Sequence, residues 1–350
     1  MAKIDTLLRA MDARKGSDLH LAAGQPPRMR VRGELVNVEA LSAMDDVAVG
    51  QMLYEICPPD LWKHYDISPD IDFAYALPGV GRFRVNCFRQ ENGRGAVVRL
   101  IPERIVPLEE LGMPAAVESL AHARSGLVLI TGATGSGKST TAASIIDKIN
   151  RTYARHIVTI EDPIEFVHPN KKSIFSHREV GRHTGGFGPA LRAALRQNAD
   201  VVLVGELRDQ ETVRLALSAA EMGLLVFGTV HTNSAPKAID RILDIFPAEE
   251  QAQARLTLSE CLTGVLNQVL VKSADGKGRV CAVEILLRTP ALPNLIREGT
   301  PAMLYSAMQS GKAQGMQTMD MSLRELVDAG RITREDALWR ATDKGLFGAA

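Results

Sequence analysis

The stretch Gly132-Ala133-Thr134-Gly135-Ser136-Gly137-Lys138-Ser139 fits the pattern GxxxxGK(S/T) at every fixed position. An apolar run at 126–131 comes directly before it, and a helical pattern begins near Lys138. Glycines let backbone N–H groups curl around phosphate oxygens, and the following helix turns the positive end of its dipole towards them. The alternative is an ordinary tight turn between a strand and a helix. The predicted nucleotide-binding residues are Gly132, Ala133, Thr134, Gly135, Ser136, Gly137, Lys138, Ser139 and Thr140.

Around this loop, apolar strands alternate with helical stretches. Such alternation is typical of a mostly parallel sheet that is covered on both faces. The predicted strands are Gly126–Thr131, His156–Glu161, Asp200–Gly205 and Leu224–Val230. The predicted helices include Ala115–Ala123 and segments around Ala248–Val269, Pro290–Glu298 and Ser322–Ala329.

The first hundred residues follow a different pattern. Helical spacing over 4–15 is followed by Gly16-Ser17-Asp18, which predicts the end of a helix. The segment Gly81–Arg89 alternates apolar with polar residues, which indicates an antiparallel strand with one wet face. Further short strands are predicted at Leu19–Leu21, Arg28–Arg32, Asp70–Ala76 and Ala96–Ile101. We therefore expect a small α+β domain over 1–101, a proline-containing linker over 102–114 and a second domain over 115–350.

Composition excludes several classes of protein. The chain has 350 residues, 45% hydrophobic and 23% charged, which is ordinary globular composition for about two domains. Lys plus Arg and Asp plus Glu are both 41, so the basic excess expected of a nucleic-acid-binding protein is missing. The four cysteines form no CxxC pair, which argues against a zinc or thioredoxin-type site. Apolar runs are strand-sized, so we expect a soluble cytosolic protein that reaches a membrane through a partner.

Carboxylates follow two of the predicted strands. Glu161, Asp162 and Glu165 come at the end of one, and Glu206 follows another. The carboxyl ends of parallel strands line the ligand crevice, which is where the phosphate loop lies. A triphosphate hydrolase needs such groups to hold the magnesium shell and to polarise the attacking water. Solvated acids at strand ends are the alternative.

A third strand ends in His231. A neutral histidine there could contact the γ-phosphate or orient the Glu206 carboxylate, and a purely structural histidine is the alternative. Arg82, Arg84 and Arg99 lie on two adjacent predicted strands of the first domain, together with Arg89. They form either a solvated polar face or arginine fingers that reach a nucleotide from the same chain or from a neighbour.

The motifs GATGSGKST, TIEDPIEFVH, VLVGELRD and FGTVHTNSA, in this order, resemble those of the type II/IV secretion ATPase superfamily. With SDLHL near the start and RITREDALWRATD near the end, the chain is similar to the PilT family of type IV pilus retraction ATPases over about 4–343. The resemblance implies an α/β protein with a PAS-like N-terminal domain and a RecA-like P-loop ATPase domain. It also implies a homo-hexamer with ATP and Mg²⁺ at the interdomain cleft, and pilus disassembly through a PilC-like platform protein of the inner membrane.

The resemblance also assigns roles to residues. Gly132–Ser139 is the Walker A loop, and Glu206 is the Walker B glutamate and general base. Glu161, Asp162 and Glu165 fall in the Asp box, so Ser139, Glu161 and Asp162 are expected to hold Mg²⁺, partly through water. His231 is the second histidine of the His box, and Arg82, Arg84 and Arg99 match arginines that approach the nucleotide. The length favours retraction over assembly, because assembly ATPases have an extra N-terminal domain.

Two positions depart from the family pattern. Leu224 stands where the His box has its first histidine, and Pro293 replaces an arginine of the AIRNLIRE motif. These departures keep a second hypothesis open, an ATP-binding accessory paralogue that hydrolyses little and works with another retraction ATPase. A RecA-like nucleic-acid motor is a third, against which the neutral charge weighs. The expected location is the cytoplasm, at the periphery of the inner membrane.

Overall fold

The computed structural model describes residues 2–31, 33–38, 41–65, 67–101 and 104–348. The chain divides into two compact units. The N-terminal unit comprises residues 1–104 together with 163–167, and the C-terminal unit comprises 105–162 and 168–350. The domain boundaries expected from the sequence stay a prediction. Pro102 and Glu103 of the predicted linker and Arg32 of a predicted strand lie outside the described residues.

The N-terminal unit contains helices α1 (Lys3–Ala13), α2 (Asp46–Tyr54) and α3 (Pro59–Tyr65). Its strands are β1 (Gly16–Ala22), β2 (Arg28–Val31), β3 (Glu34–Asn37), β4 (Ile71–Leu77), β5 (Gly81–Gln90) and β6 (Gly93–Ile101). They form an antiparallel sheet in the order β3-β2-β1-β6-β5-β4. The predicted α+β character of this region is confirmed.

The hydrophobic face of this sheet follows the alternation seen in the sequence. Phe83, Val85 and Cys87 of β5 are fully buried, while the residues between them are partly or fully exposed. Helix α1 contributes Ile4 and Leu8 to the same core at helical spacing. Helix α1 ends at Ala13, shortly before the Gly16-Ser17-Asp18 stretch that predicted its end, and these three residues already belong to β1. The chain turns one residue earlier, at Lys15, whose φ is 54°.

The C-terminal unit contains a second sheet, and helices cover both of its faces. Its strands are β7 (Gly126–Thr131), β8 (His156–Glu161), β9 (Ile174–Glu179), β10 (Val201–Val204), β11 (Leu225–Val230), β12 (Leu262–Lys272) and β13 (Arg279–Leu287). Its helices are α4 (Leu108–Leu111), α5 (Ala115–Ala121), α6 (Lys138–Thr152), α7 (Phe187–Ala194), α8 (Gln210–Glu221), α9 (Ala235–Asp244), α10 (Ala248–Cys261), α11 (Leu292–Glu298), α12 (Pro301–Ser310), α13 (Met319–Asp328) and α14 (Arg334–Arg340).

The order of this sheet is β13-β12-β7-β11-β10-β8-β9. All neighbours are parallel except β12 and β13, which pair antiparallel at one edge. Helices α5 and α6 pack on one face, and α7 to α10 pack on the other. Every residue of β7, β10 and β11 is buried. The predicted α/β fold with a mostly parallel sheet is confirmed.

The helix predicted around Ala248–Val269 is wrong in its second half. Helix α10 ends at Cys261, and the chain enters β12 through Leu262, whose φ of −65° and ψ of 118° are extended. An apolar run that is buried on both faces has no alternation, so its sequence fits a buried helix and a buried strand equally well. Within the predicted linker, residues 108–111 form α4, and Leu108 is buried in the core beside α6.

None of the described helices combines the length and the apolarity that crossing a bilayer requires.

The C-terminal unit contains a buried histidine, His168. The His168 ring is 4% exposed and stacks on Phe175, with ring centroids 4.8 Å apart. Burial, aided by the neighbouring His177, lowers the pKa of His168 to about 4. The unfolded chain, with a pKa near 6.5, therefore binds this proton before the folded chain does as the pH falls.

We expect acid to lower the free energy of unfolding through His168 between about pH 6.5 and pH 4, because protonation then favours the unfolded chain. His168→Phe keeps a stacking ring and removes the titration. Its free energy of unfolding should fall by about 2 kcal/mol less than that of the wild type between pH 7 and pH 5. Urea denaturation at the two pH values measures both losses. Equal losses in both proteins would contradict the prediction.

Candidate nucleotide site

The phosphate loop joins the end of β7 to the start of α6. Gly132 and Gly137 have φ values of 145° and 89°, a region that residues with a Cβ avoid. The loop therefore places the N-terminus of α6, which begins at Lys138, at the carboxyl edge of the sheet. Backbone N–H groups and a positive helix end at this edge fit a polyphosphate.

The Lys138 side chain lies along the inside of this loop. Its ammonium donates to the carbonyl oxygens of Gly132 at 2.9 Å and Ala133 at 3.0 Å. Nζ is also 3.4 Å from Nδ1 of His231. The lysine charge is thus held at the loop, where a phosphate oxygen could replace the carbonyl oxygens as its partner.

His231 lies between Lys138 and Glu206. Its Nε2 atom lies 3.7 Å from Oε1 of Glu206, and both side chains are partly exposed. In the tautomer that carries its proton on Nε2, the ring accepts from Lys138 through Nδ1 and turns its N–H towards the Glu206 carboxylate. The next residue, Thr232, donates its backbone N–H to Oγ1 of Thr131 at 3.0 Å. The residues 231–234, which join β11 to α9 and are called the His231 segment below, are therefore fixed to the end of β7.

A cavity of about 520 Å³ opens beside this row of side chains. Its size is in the range of small-molecule and cofactor sites. The lining residues come from the phosphate loop, the His231 segment and α9, and they are Ala133, Thr134, His231, Thr232, Asn233 and Lys237.

The Asp-box acids lie farther along the sheet. Glu161 is the buried last residue of β8, and Asp162 after it is exposed. The strands β11 and β10 separate β8 from β7, so Glu161 is three strand spacings, roughly 14 Å, from the strand that carries the loop. Glu165 belongs to the short segment 163–167 that is grouped with the N-terminal unit.

The residues present fit Mg²⁺ bound together with a nucleotide. Among the described residues, no three His, Cys, Asp or Glu side chains cluster as a ready-made metal site. Magnesium usually keeps several waters and is held by substrate phosphates with one or two protein oxygens. The Ser139 hydroxyl in the first turn of α6 is a protein oxygen of the kind that such a shell uses.

The arginines of the N-terminal unit have ion-pair partners that the sequence analysis did not anticipate. Arg84 and Arg99 lie opposite each other on β5 and β6, and Arg84 Nε is 3.4 Å from Oδ1 of Asp72. Arg99 Nε is 2.7 Å from Oδ1 of Asp18. Burial raises the pKa of Asp18, but hydrogen bonds from Ser17 and Arg99 outweigh burial and hold it below its usual value. The proposed contact of Arg82, Arg84 and Arg99 with a nucleotide stays a prediction.

Neither departure from the family pattern lies within the phosphate loop. The carbonyl oxygen of Leu224 accepts from the N–H of Gly126, the first residue of β7, whereas the loop follows the last. Leu224 and His231 are thus at opposite ends of β11, roughly 20 Å apart. Pro293 lies in the first turn of α11, where a missing N–H breaks no helical hydrogen bond.

The sequence analysis missed two functional candidates on β12. Gln268 donates to the carbonyl oxygen of Ser136 in the phosphate loop at 2.7 Å, and Asn267 donates to that of Asn233 at 3.0 Å. Both side chains are at most 1% exposed. Because the segment was predicted to be helical, its pairing beside β7 was not foreseen. The adjacent polar pair within an apolar run was the available signal.

The phosphate loop on a parallel sheet, with a glutamate and a histidine at the neighbouring strand ends, defines a P-loop ATPase of the RecA-like class. A family profile described as type II/IV secretion system protein matches residues 76–314, more than half of the chain. The chain belongs to this family.

The chain is 51% identical over 337 residues to the type IV pilus retraction ATPase PilT of Pseudomonas aeruginosa, covering 96% of this chain and 97% of that protein. It is 40% identical over 339 residues to the type IV pilus ATPase PilU of the same organism, covering 97% of this chain and 88% of that one. A crystal structure of the pilus retraction motor PilT with bound ADP matches with a TM-score of 0.90 at 44% identity, covering 99% and 98% of the two chains. The resemblance found in the sequence is confirmed.

His231→Ala should lower ATP turnover at saturating ATP by roughly tenfold or more, because Glu206 loses the group that orients it. The affinity for nucleotide should change little, since the phosphate loop is intact. His122→Ala is a matched control, because His122 Nε2 is also 3.7 Å from a glutamate oxygen, that of Glu118, at similar exposure. Steady-state kinetics compares the two variants. Equal turnover in both would refute the role of His231.

Proposed function

We propose that this chain is a Mg²⁺-dependent ATPase motor of the pilus-retraction type, working as a homo-hexamer. The observation that carries the proposal is the row Lys138, His231 and Glu206 at the carboxyl edge of the sheet, with a cavity of about 520 Å³ beside His231. The similarity to PilT along nearly the whole chain supports retraction as the task.

In this mechanism the chain holds the triphosphate and activates a water. Backbone N–H groups of Gly132–Ser139 bind the phosphates, and Lys138 exchanges its two carbonyl partners for β- and γ-phosphate oxygens. Glu206 accepts a proton from the water that attacks the γ-phosphorus, and the bond to the β-phosphate oxygen breaks to give ADP and phosphate. His231 fixes the direction of the Glu206 carboxylate.

Bound Mg²⁺ would neutralise charge on the phosphate oxygens. Ser139 would hold it directly, and Glu161 and Asp162 would act partly through water. Thr140 completes the nucleotide-binding set after the loop. Because Glu161 lies three strands from β7, its action through water is more compatible with the sheet order than direct binding.

The assembly belongs to the proposal as well. Residues 1–101 would serve as the PAS-like domain and 115–350 as the ATPase domain, with Arg82, Arg84 and Arg99 contacting nucleotide in the ring. Hydrolysis would drive pilus disassembly through a PilC-like platform protein, which would keep a cytoplasmic protein at the inner membrane. No contact with nucleic acid and no insertion into the membrane are part of this function.

The alternative is an accessory role beside another retraction ATPase, and it rests on the departures at Leu224 and Pro293. Leu224 lies at the far end of β11, and Pro293 occupies a helix first turn. The Lys138, His231 and Glu206 row is intact, which favours a self-sufficient motor.

Purified wild-type protein should hydrolyse ATP only with Mg²⁺ and should have the mass of a hexamer by light scattering. Lys138→Ala should lose nucleotide binding, while Glu206→Gln should bind ATP and turn it over roughly a hundred- to ten-thousandfold more slowly. Lys312→Ala, at an exposed ion pair with Glu325, serves as the control. A hexamer that binds ATP without hydrolysis would support the accessory role instead.

Retraction itself is tested in cells that lack their own retraction ATPase. The wild-type chain should restore twitching motility, and Glu206→Gln should not. Hydrolysis in the test tube without restored motility would separate the ATPase from the pilus task and refute the latter.

Arg99→Ala should lower turnover in the assembled ring if Arg99 contacts nucleotide. Arg94→Ala is its control, since Arg94 is on the same strand and forms a 2.7 Å ion pair with Asp46 in the same unit. Thermal unfolding checks that neither variant has lost its N-terminal fold. Equal turnover by the two variants would show that Arg99 serves Asp18 alone.

A further inference from the structure

Two adjacent residues of β12 each hold one of the loops that form the nucleotide site. We propose that Gln268 positions the phosphate loop for nucleotide binding and that Asn267 positions the His231 segment for hydrolysis. Neither side chain would touch the nucleotide, so both are positioning residues. The proposal rests on the ATPase function proposed above and adds a division of labour between binding and catalysis.

Gln268 lies directly beneath the phosphate loop. Its side-chain amide donates to the carbonyl oxygen of Ser136, in the middle of the loop, at 2.7 Å. The two ends of the loop also pack on this residue. A Cβ atom at Gly132 would lie 2.5 Å from the Gln268 carbonyl oxygen, and one at Gly137 would lie 3.1 Å from its Nε2 atom. The side-chain amide of Gln268 therefore meets the loop at Ser136 and Gly137, and its backbone carbonyl oxygen meets the loop at Gly132.

Asn267 holds the segment that follows β11. Its amide donates to the carbonyl oxygen of Asn233, two residues after His231, at 3.0 Å. In the pairing of β12 with β13, Asn267 lies opposite Glu284. The buried carboxylate of Glu284 accepts a hydrogen bond from the backbone N–H of Ala235, at the start of α9. Two polar side chains of the sheet, those of Asn267 and Glu284, thus hold the segment from His231 to α9 at Asn233 and Ala235.

The separation of roles follows from strand geometry. Consecutive side chains of a strand point to opposite faces of the sheet. Leu266 packs in the core on the α6 face, and Val265 packs in the core on the α9 face. Gln268 accordingly reaches the loop that begins α6, and Asn267 reaches the segment that begins α9. A change at Gln268 should alter nucleotide affinity, and a change at Asn267 should alter turnover.

Leucine replaces either amide with a side chain of similar size that cannot donate a hydrogen bond. The loop carbonyl that loses its buried donor then has to find another partner, which shifts the loop. For Gln268→Leu we expect the dissociation constant of ADP to rise by roughly tenfold, with turnover at saturating ATP within about threefold of the wild type. For Asn267→Leu we expect the reverse: unchanged ADP affinity and turnover lowered by roughly tenfold.

The matched control is Gln317→Leu. Gln317 is also buried, and its amide donates to the carbonyl oxygen of Val283 at 2.8 Å, the same kind of bond on β13. Its loss should lower stability without changing either ADP affinity or turnover. Thermal unfolding of each variant measures the general cost of removing a buried amide, and Gln268→Met is used in place of a leucine variant that does not fold.

ADP binding is measured by titration calorimetry, and turnover by phosphate release with Mg²⁺. Equal ADP affinity of Gln268→Leu and the wild type would overturn the proposal. A loss of ADP affinity in Gln317→Leu as large as that in Gln268→Leu would overturn it as well. A wild-type chain that binds ADP but does not hydrolyse ATP would refute the proposed function and the role of Asn267, while the affinity of Gln268→Leu still decides the role of Gln268. A wild-type chain that binds no ADP would overturn both.

Discussion

The parallel pairing of β7, β11 and β10 is the constraint on which the site depends. Thr131 at the end of β7 pairs with Val230 at the end of β11, and Val204 at the end of β10 pairs with Gly228. Because the strands run in the same direction, the phosphate loop, His231 and Glu206 all leave the sheet at one edge. The row of contacts from Lys138 to Glu206 is a direct result of that register.

The parallel pairing also separates the nucleotide site from Leu224, one of the two positions that depart from the family pattern. A position at the start of β11 cannot reach the edge where the strand ends, so Leu224 changes the far side of the sheet. Pro293 is accommodated by the first turn of a helix that lies elsewhere in the C-terminal unit. Neither change replaces a residue of the row Lys138, His231 and Glu206.

Much of the site could be predicted from the sequence, because its residues occur in short motifs at strand ends. Gly132–Ser139, Glu206 and His231 were identified in this way, and the structure brings Lys138, His231 and Glu206 together. Long-range pairing could not be foreseen. The bond from Gln268 to Ser136 joins residues 132 positions apart, through a strand whose pattern also fits a helix. The Arg99 ion pair with Asp18 likewise spans distant strands of the N-terminal sheet.

In the proposed mechanism, Lys138, His231 and Glu206 act on one triphosphate. The most direct measurement is a crystal structure of the Glu206→Gln protein with ATP and Mg²⁺. We expect Lys138 Nζ to have left the carbonyl oxygens of Gly132 and Ala133 and to lie about 3 Å from β- and γ-phosphate oxygens. We also expect residue 206 to face a water in line with the γ-phosphorus, beside His231. A triphosphate bound with the side chains of residues 206 and 231 both turned away from its γ-phosphate would contradict the proposed mechanism.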